Sequence, residues 1–258
     1  MLQFNRTSDN LIVAGNGPSL KNIDLNSMPK EYDVFRCNQF YCEDKYYLGK
    51  NIKLVMFNPM VIYSQLKTLN TLISKQEYHV EYVCLNYINK NWDINFNIND
   101  FIQTMPFVMI LNNFINNTIL KELCLLNEFN DLRPTSGVLL MLLGKSLGYK
   151  NIYYTGIDFA NNKNISHINY NKDSIIHNFI YKDMLFSSNH TPNTDLLFIK
   201  NNNFLQLNTL ESTIQNHVVK NNYINDIIKD TRDNIFIQTP EIQITKKSML
   251  TKILDKFK

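Results

Sequence analysis

A chain of 258 residues that is 44% hydrophobic and 19% charged can bury one substantial core, which excludes a disordered protein. The formal net charge of +3, with no Arg-rich stripe interleaved with aromatics, argues against a nucleic-acid partner. Met1 to Asn10 carry no apolar signal segment and no run reaches the length of a membrane span, so a cytoplasmic protein is expected.

In chain order, short apolar runs predict buried strands at Leu11–Gly15, Asp33–Arg36, Ile52–Phe57, Tyr82–Leu85, Phe107–Leu111, Ile152–Thr155 and Leu205–Leu207. Helix-length patterns separate several of them. Met60–Lys75 places Val61, Leu66, Leu69 and Leu72 on one face, Asn112–Glu128 is a second candidate, and Ser136–Leu147 is apolar almost all round. The alternation predicts an α/β fold: a mostly parallel sheet flanked by helices, in one domain spanning 1–258.

Between Phe159 and His190 the pattern degrades into Asn, Lys, Ser and isolated aromatics. This is longer than an ordinary connection and follows the turn after a strand, so residues 160–190 read as a lid inserted at the ligand-bearing edge of the sheet. Asparagine is abundant throughout, as in Asn161-Asn162-Lys163-Asn164, which we ascribe to compositional bias. Residues 245–258 combine Met249, Leu250, Ile253, Leu254 and Phe257 with five lysines at helical spacing. Such a basic amphipathic segment suits an anionic membrane surface, and equally a helix docked on its own domain or on another subunit.

Cys37, Cys42, Cys84 and Cys124 lack C-x-x-C spacing and nearby histidines, so reduced thiols are expected and a cysteine metal centre is not.

The chemistry-bearing residues fall at strand ends. Gly15-Asn16-Gly17-Pro18-Ser19 follows the first strand and can open a helix whose backbone N–H groups meet a phosphate, although a tight structural turn explains the glycines as well. The turn lacks the third glycine of a dinucleotide fingerprint and the Lys-Ser/Thr of a P-loop. Asn16, Asn38, Gln39 and Asn58 offer mixed donors and acceptors suited to a sugar or ribose, while each alone serves as a cap or turn residue. Arg133-Pro134-Thr135-Ser136-Gly137 precedes the most apolar helix, where Thr135 or Ser136 can cap it and its N-terminus favours an anion. Gly156-Ile157-Asp158-Phe159 sets a carboxylate beside an aromatic ring, as nucleoside binding or a helix cap requires. His190, in His190-Thr191-Pro192-Asn193-Thr194-Asp195, has the ordinary pKa of a general base near neutrality, and a loop histidine with no such role fits the position too. No Asp-x-Asp motif is present, which disfavours a metal-held diphosphate donor.

Five segments together carry a resemblance: Ile12–Lys21, Tyr32–Tyr41, Glu43–Lys50, Thr135–Val138 and Leu147–Lys150, followed by Gly156–Phe159. They resemble the Campylobacter-type sialyltransferases of glycosyltransferase family 42, word for word in the N-terminal third, as islands from Lys53 to His190, and faintly beyond Asp195. The resemblance implies a modified Rossmann-like fold (a GT-A variant) with a lid. It also implies inverting transfer of N-acetylneuraminate from CMP-Neu5Ac to a galactose-terminated glycan of the lipooligosaccharide type, without metal or other cofactor. The linkage expected is α2,3, with a bifunctional α2,3/α2,8 enzyme as an alternative. A homotetramer peripheral at the cytosolic face of the membrane is implied as well. By position, the donor-side and other substrate-binding residues are Asn16, Gly17, Ser19, Asn38, Gln39, Asn58, Thr135, Ser136 and Gly137. Gly156, Asp158 and Phe159 match the cytidine-side segment, Arg133 an active-site arginine and His190 the general base. The family has a phosphate-binding tyrosine directly after Gly-Ile-Asp-Phe, where this chain has Ala160. Tyr170, Tyr181, His167 or Lys163 must then serve the leaving phosphate, or the protein binds CMP-sugars with weak or lost catalysis. A different nucleotide-dependent transferase, such as a methyltransferase, would need only the α/β pattern and the glycine turn, and leaves the Asn38-Gln39 and His190 segments unexplained.

Overall fold

The computed structural model describes residues 3–86, 96–158 and 190–207. Strands β1 (Asn10–Ala14), β2 (Asp33–Cys37), β3 (Asn51–Phe57), β4 (His79–Leu85), β5 (Val108–Ile110), β6 (Asn151–Thr155) and β7 (Leu205–Gln206) form one sheet in the order β5-β4-β3-β2-β1-β6-β7. Every pairing among them is parallel. The helices are α1 (Ile62–Ser74), α2 (Ile98–Thr104), α3 (Asn117–Asn130), α4 (Ser136–Ser146) and α5 (Pro192–Asn202).

The reason β1 is apolar at consecutive positions is that both of its faces are covered. Leu11 and Val13 pack with α3, α4 and α5 through Leu123, Val138–Leu143, Phe198 and Ile199. Ile12 and Ala14 point the other way, against Leu20, Val34 and Leu48. Further along that second face, Val55 and Phe57 of β3 meet Ile62, Leu69 and Leu72 of α1 and Phe101 of α2. The sheet is therefore the middle of three layers. Helix α4 lies close against it, since a Cβ on Gly144 would come within 2.2 Å of Leu11 Cδ2 and one on Gly137 within 2.7 Å of Ile157 Cδ1. The two glycines are seven apart in sequence and share one helix face.

Strand β2 carries two charges into this interior. Asp33, 4% exposed, accepts hydrogen bonds from the Thr7 backbone N–H at 3.0 Å and the Tyr149 hydroxyl at 2.5 Å. Arg36 and Glu43, 1% and 0% exposed, pair at 2.9 Å, and the Tyr78 hydroxyl donates to the other Glu43 oxygen at 2.9 Å. Between Arg36 and Glu43 the chain makes the Asn38-Gln39 turn and a 3-10 segment, Phe40–Cys42.

All seven predicted strands are present, and the three predicted helices are too, α4 from Ser136 as expected and the other two with shifted starts. α1 begins at Ile62 because Pro59–Val61 forms a 3-10 turn, and α3 begins at Asn117, where the Asn116 side chain accepts the Thr118 N–H. Leu111–Asn113, expected to be helical with it, is a separate 3-10 turn. Two helices were not expected. α2 buries only Phe101, too little for an apolar stripe, and α5 opens with the polar run Pro192-Asn193-Thr194-Asp195 that reads as loop. The four cysteines are free, with Cys37, Cys42 and Cys84 buried.

Candidate active site at the carboxyl edge of the sheet

The chain leaves β1 toward β5 and later returns to the opposite side of β1 to add β6 and β7. Such a reversal opens a crevice beyond the carboxyl ends of the strands, where ligands of open α/β sheets bind. Most of the candidate residues stand at this edge: Asn16 after β1, Asn38 and Gln39 after β2, Asn58 after β3, and Gly156 and Asp158 after β6.

The turns after β1 and β6 are fastened to each other. Gly15 N–H donates to the Thr155 oxygen at 3.0 Å, Gly17 N–H to the Gly156 oxygen at 2.8 Å, and Ser19 N–H to Asp158 Oδ2 at 3.1 Å. The closeness dictates glycine. A Cβ on Gly15 would lie 2.2 Å from the Gly156 oxygen, a Cβ on Gly17 2.2 Å from Asp158 Oδ2, and Gly156 has a φ of +63°. These bonds give the glycines the tight structural turn that the sequence also allows. The turn opens a short 3-10 segment, Pro18–Asn22, in place of an α-helix; the N–H groups of Gly15, Gly17 and Ser19 already have protein acceptors, and Pro18 has none to give. Gly17, Ser19 and Asp158 thus build the ledge that holds Asn16. Asp158 caps the 3-10 segment across the strand gap.

Asn16 Nδ2 donates to the Cys37 oxygen at 2.9 Å, and Asn38, held at a φ of +49°, directs Nδ2 to Ser136 Oγ at 3.4 Å. Their Oδ1 atoms are buried with no hydrogen-bond partner among the described residues. An unpaired buried acceptor costs about 1–3 kcal/mol, so two at one edge mark a place where a ligand donor restores the balance. Gln39 and Asn58 are half-buried at the neighbouring strand ends.

Other groups unpaired among the described residues lie along the same edge, at positions the sequence does not single out: Asn86 Oδ1 after β4, Asn112 Oδ1 after β5, Thr155 Oγ1 at the end of β6, and both amide atoms of Gln65 in the first turn of α1. Asn86 and Asn112 share the strand-then-Asn signature of Asn38 and Asn58. The general abundance of asparagine masks it.

Helix α4 supplies the facing wall. Thr135 is its N-cap, yet the hydroxyl makes no capping bond to the helix as the sequence predicts; it donates to Asp195 Oδ2 at 2.8 Å while the Thr135 N–H donates to Asp195 Oδ1 at 2.8 Å. Burial pushes the Asp195 carboxyl up to about 6, with both Thr135 bonds pulling it back down. Arg133 is lowered to about 10 by burial, against the raising influence of Asp131, and stays cationic at neutral pH. Its backbone oxygen lies 2.9 Å from His190 Nδ1. A carbonyl can only accept, so Nδ1 carries the proton and Nε2 keeps its lone pair. Burial lowers the His190 pKa, Arg133's charge adds to that, and the bond to the Arg133 oxygen opposes it.

The structure thus links Asn16, Gly17, Ser19 and Asp158 in one cluster, and Asn38, Ser136, Thr135, Asp195, Arg133 and His190 in a second across β2 and α4. Gly137 packs α4 on Ile157. Phe159, Ala160, Tyr170, all of the lid expected at 160–190 except His190, and the segment 245–258 lie outside the described residues.

The profile of the alpha-2,3-sialyltransferase (CST-I) family matches residues 9–205. The chain belongs to the CST-I alpha-2,3-sialyltransferase family. Among solved structures it is similar to the monofunctional alpha-2,3-sialyltransferase Cst-I of Campylobacter jejuni, at 32% identity over 100% of this chain and 98% of that one, with a TM-score of 0.74. It is also similar to the sialyltransferase CstII of Campylobacter jejuni in complex with the substrate analogue CMP-3FNeuAc, at 31% identity over 84% of this chain and 97% of that one, TM-score 0.68. A third, the sialyltransferase CST-II in complex with a trisaccharide acceptor and CMP, shares 32% identity over 82% of this chain and 93% of that one, TM-score 0.63. None of the curated proteins matched the sequence. As a member of this family the protein is a glycosyltransferase with the sialyltransferase fold, a parallel sheet flanked by helices.

Proposed function

We propose that this sialyltransferase moves N-acetylneuraminate from CMP-Neu5Ac to the 3-hydroxyl of a galactose-terminated, lipooligosaccharide-type glycan, with inversion. His190 Nε2 takes the hydroxyl proton, the freed oxygen pair forms the bond to the anomeric carbon, and CMP leaves with the electrons of the broken C–O bond. The observation that carries this reading is the His190–Arg133 contact, which assigns the proton of a neutral imidazole to Nδ1 and leaves Nε2, with no partner among the described residues, as the basic nitrogen. Asn16 and Asn38, with unpaired oxygens, receive donor-sugar hydroxyls, and the relatives crystallised with CMP and a CMP-sugar analogue support that ligand class. The developing oxocarbenium character makes charge stabilisation at the departing phosphate count for more than ground-state affinity.

Incubation with CMP-Neu5Ac and lactose, followed by linkage analysis, tests the reading: an α2,3-sialyllactose product is expected. No transfer to any galactoside would overturn it. A parallel reaction on sialyllactose decides whether α2,8 linkage is also made. We further propose that turnover needs no metal, so that EDTA leaves it unchanged, and that the protein is a tetramer whose basic segment 245–258 touches the inner membrane face, which light scattering and vesicle flotation check.

One sequence feature favours a second reading. Ala160 stands where the family has a phosphate-binding tyrosine, which points to a CMP-sugar-binding protein with weak turnover. Calorimetric binding of CMP without product would support it.

A further inference from the structure

The entry to α5 is pinned to one short stretch of chain at two points. Asp195, in the first turn of α5 and 2% exposed, takes both Thr135 donors, and His190, just before α5, reaches the Arg133 oxygen. Thr135 forgoes its own helix-capping bond to do so. α5 is already capped by Thr191, whose hydroxyl accepts the Thr194 N–H at 3.2 Å, so Asp195 is not needed to start it. Burying a carboxylate opposes folding, and an apolar contact would join the two helices at less cost. What the carboxylate adds is a fixed two-bond geometry. From Thr135 the connection continues through Ser136 to Asn38 on the opposite side of the crevice.

We propose that Asp195 is a positioning residue for the transfer reaction: by gripping Thr135 through both oxygens it holds the His190 imidazole in register with the N-terminus of α4 and with Asn38 beyond it. This rests on the reading of His190 as the base. Asp195 itself stays clear of the reacting atoms. Of the neighbouring charges, Arg133 on the loop before α4 acts on His190, and Asp131 acts on Arg133.

The test uses the full chain with Asp195→Ala and Asp195→Asn. Asparagine removes the charge but keeps an oxygen for the Thr135 N–H and an amide to which the hydroxyl can turn its lone pair. A displacement of about 1 Å costs on the order of 10²-fold in rate. Asp195→Ala should therefore lower kcat by roughly 10- to 10²-fold with calorimetric CMP affinity unchanged, and Asp195→Asn should recover most of the rate. Loss of CMP affinity in step with kcat, an unimpaired alanine variant, or an asparagine variant as poor as alanine would each overturn the proposal.

A second readout does not depend on activity. Titration of the His190 Cε1 proton by NMR, assigned with His190→Gln, should show a pKa below the ordinary 6.5 in the parent and a rise toward it in Asp195→Ala and in Thr135→Val. An unmoved His190 overturns the proposal even if the parent makes no sialylated product, an outcome that would sink the transfer reading separately. Should Asp195→Ala fail to fold, Thr135→Val decides by the same signal.

Discussion

His190 Nδ1 sits 2.9 Å from the backbone oxygen of Arg133, and that contact alone fixes which ring nitrogen can act as a base. Burial favours the neutral ring and lowers its pKa. Activity needs the neutral form, so kcat should rise with pH and level off with a midpoint below the ordinary 6.5. A rate profile from pH 5 to 8 measures this. His190→Ala should lower kcat by about 10²–10⁴-fold and abolish the limb, with CMP binding retained. A midpoint above the ordinary value would contradict the assignment.

Asp195 gives a stability signature of opposite sign to a salt-bridged carboxylate. Its folded pKa is raised from 3.8 to about 6, so between these values the native state binds more protons than the unfolded chain. Its contribution is greatest below pH 3.8 and is withdrawn as pH rises through about 6. In urea denaturation, Asp195→Asn should remove this fall, and the difference in unfolding free energy between variant and parent should grow in the variant's favour from pH 4 to pH 7. An unchanged difference across that range would refute the shift.

The glycines of the fastened turns admit no side chain. Gly17→Ala drives a Cβ to 2.2 Å from Asp158 Oδ2, and Gly156→Ala adds a positive φ to a 2.7 Å approach to the Gly15 oxygen. Each should destabilise by about 1–3 kcal/mol and weaken CMP binding by disturbing Asn16. Thermal melting and calorimetry check both effects. Gly144→Ala meets the side chains of Leu11 and Ile152 in the core and should lower the melting temperature while leaving CMP affinity alone.

Arg36 and Glu43 form a pair that tolerates joint removal better than single removal. Glu43→Ala strands a guanidinium that is 1% exposed and whose Nε and Nη2 have no partner among the described residues, at a cost of about 3–5 kcal/mol. The double variant Arg36→Met, Glu43→Leu should recover most of that loss in chemical denaturation. If the double variant is as unstable as the single one, the cost lies in packing and the stranded charge is not its source.

Much of the sheet was legible because a parallel strand covered on both faces must be apolar at nearly every position, as Leu11–Ala14 and Leu54–Phe57 are. The strand-end amides Asn16, Asn38 and Asn58 were legible for a related reason: once the strands are found, the residues after them are at the ligand edge. Asn86 and Asn112 obey the same rule but are lost among the many asparagines. α5 was missed although Thr191-Pro192 is an N-terminal helix signal, because its first turn is polar and its buried residues are Thr194, Asp195, Phe198 and Ile199 rather than a clear apolar stripe.

The sequence by itself determined the strand set, the all-round apolar α4, the family and the chain positions of Asn16, Asn38, Arg133 and His190, since periodicity and local motifs are properties of neighbours along the chain. Tertiary structure alone decided what those residues do to one another. It turned the N–H groups of Gly15, Gly17 and Ser19 to Thr155, Gly156 and Asp158, fastening the turn after β1 to the one after β6. It also set Asp195 against Thr135 and His190 against Arg133, contacts that span 60 and 57 positions. Partners so far apart are chosen by the order of the strands and the close packing of α4 and α5, and no local pattern encodes them.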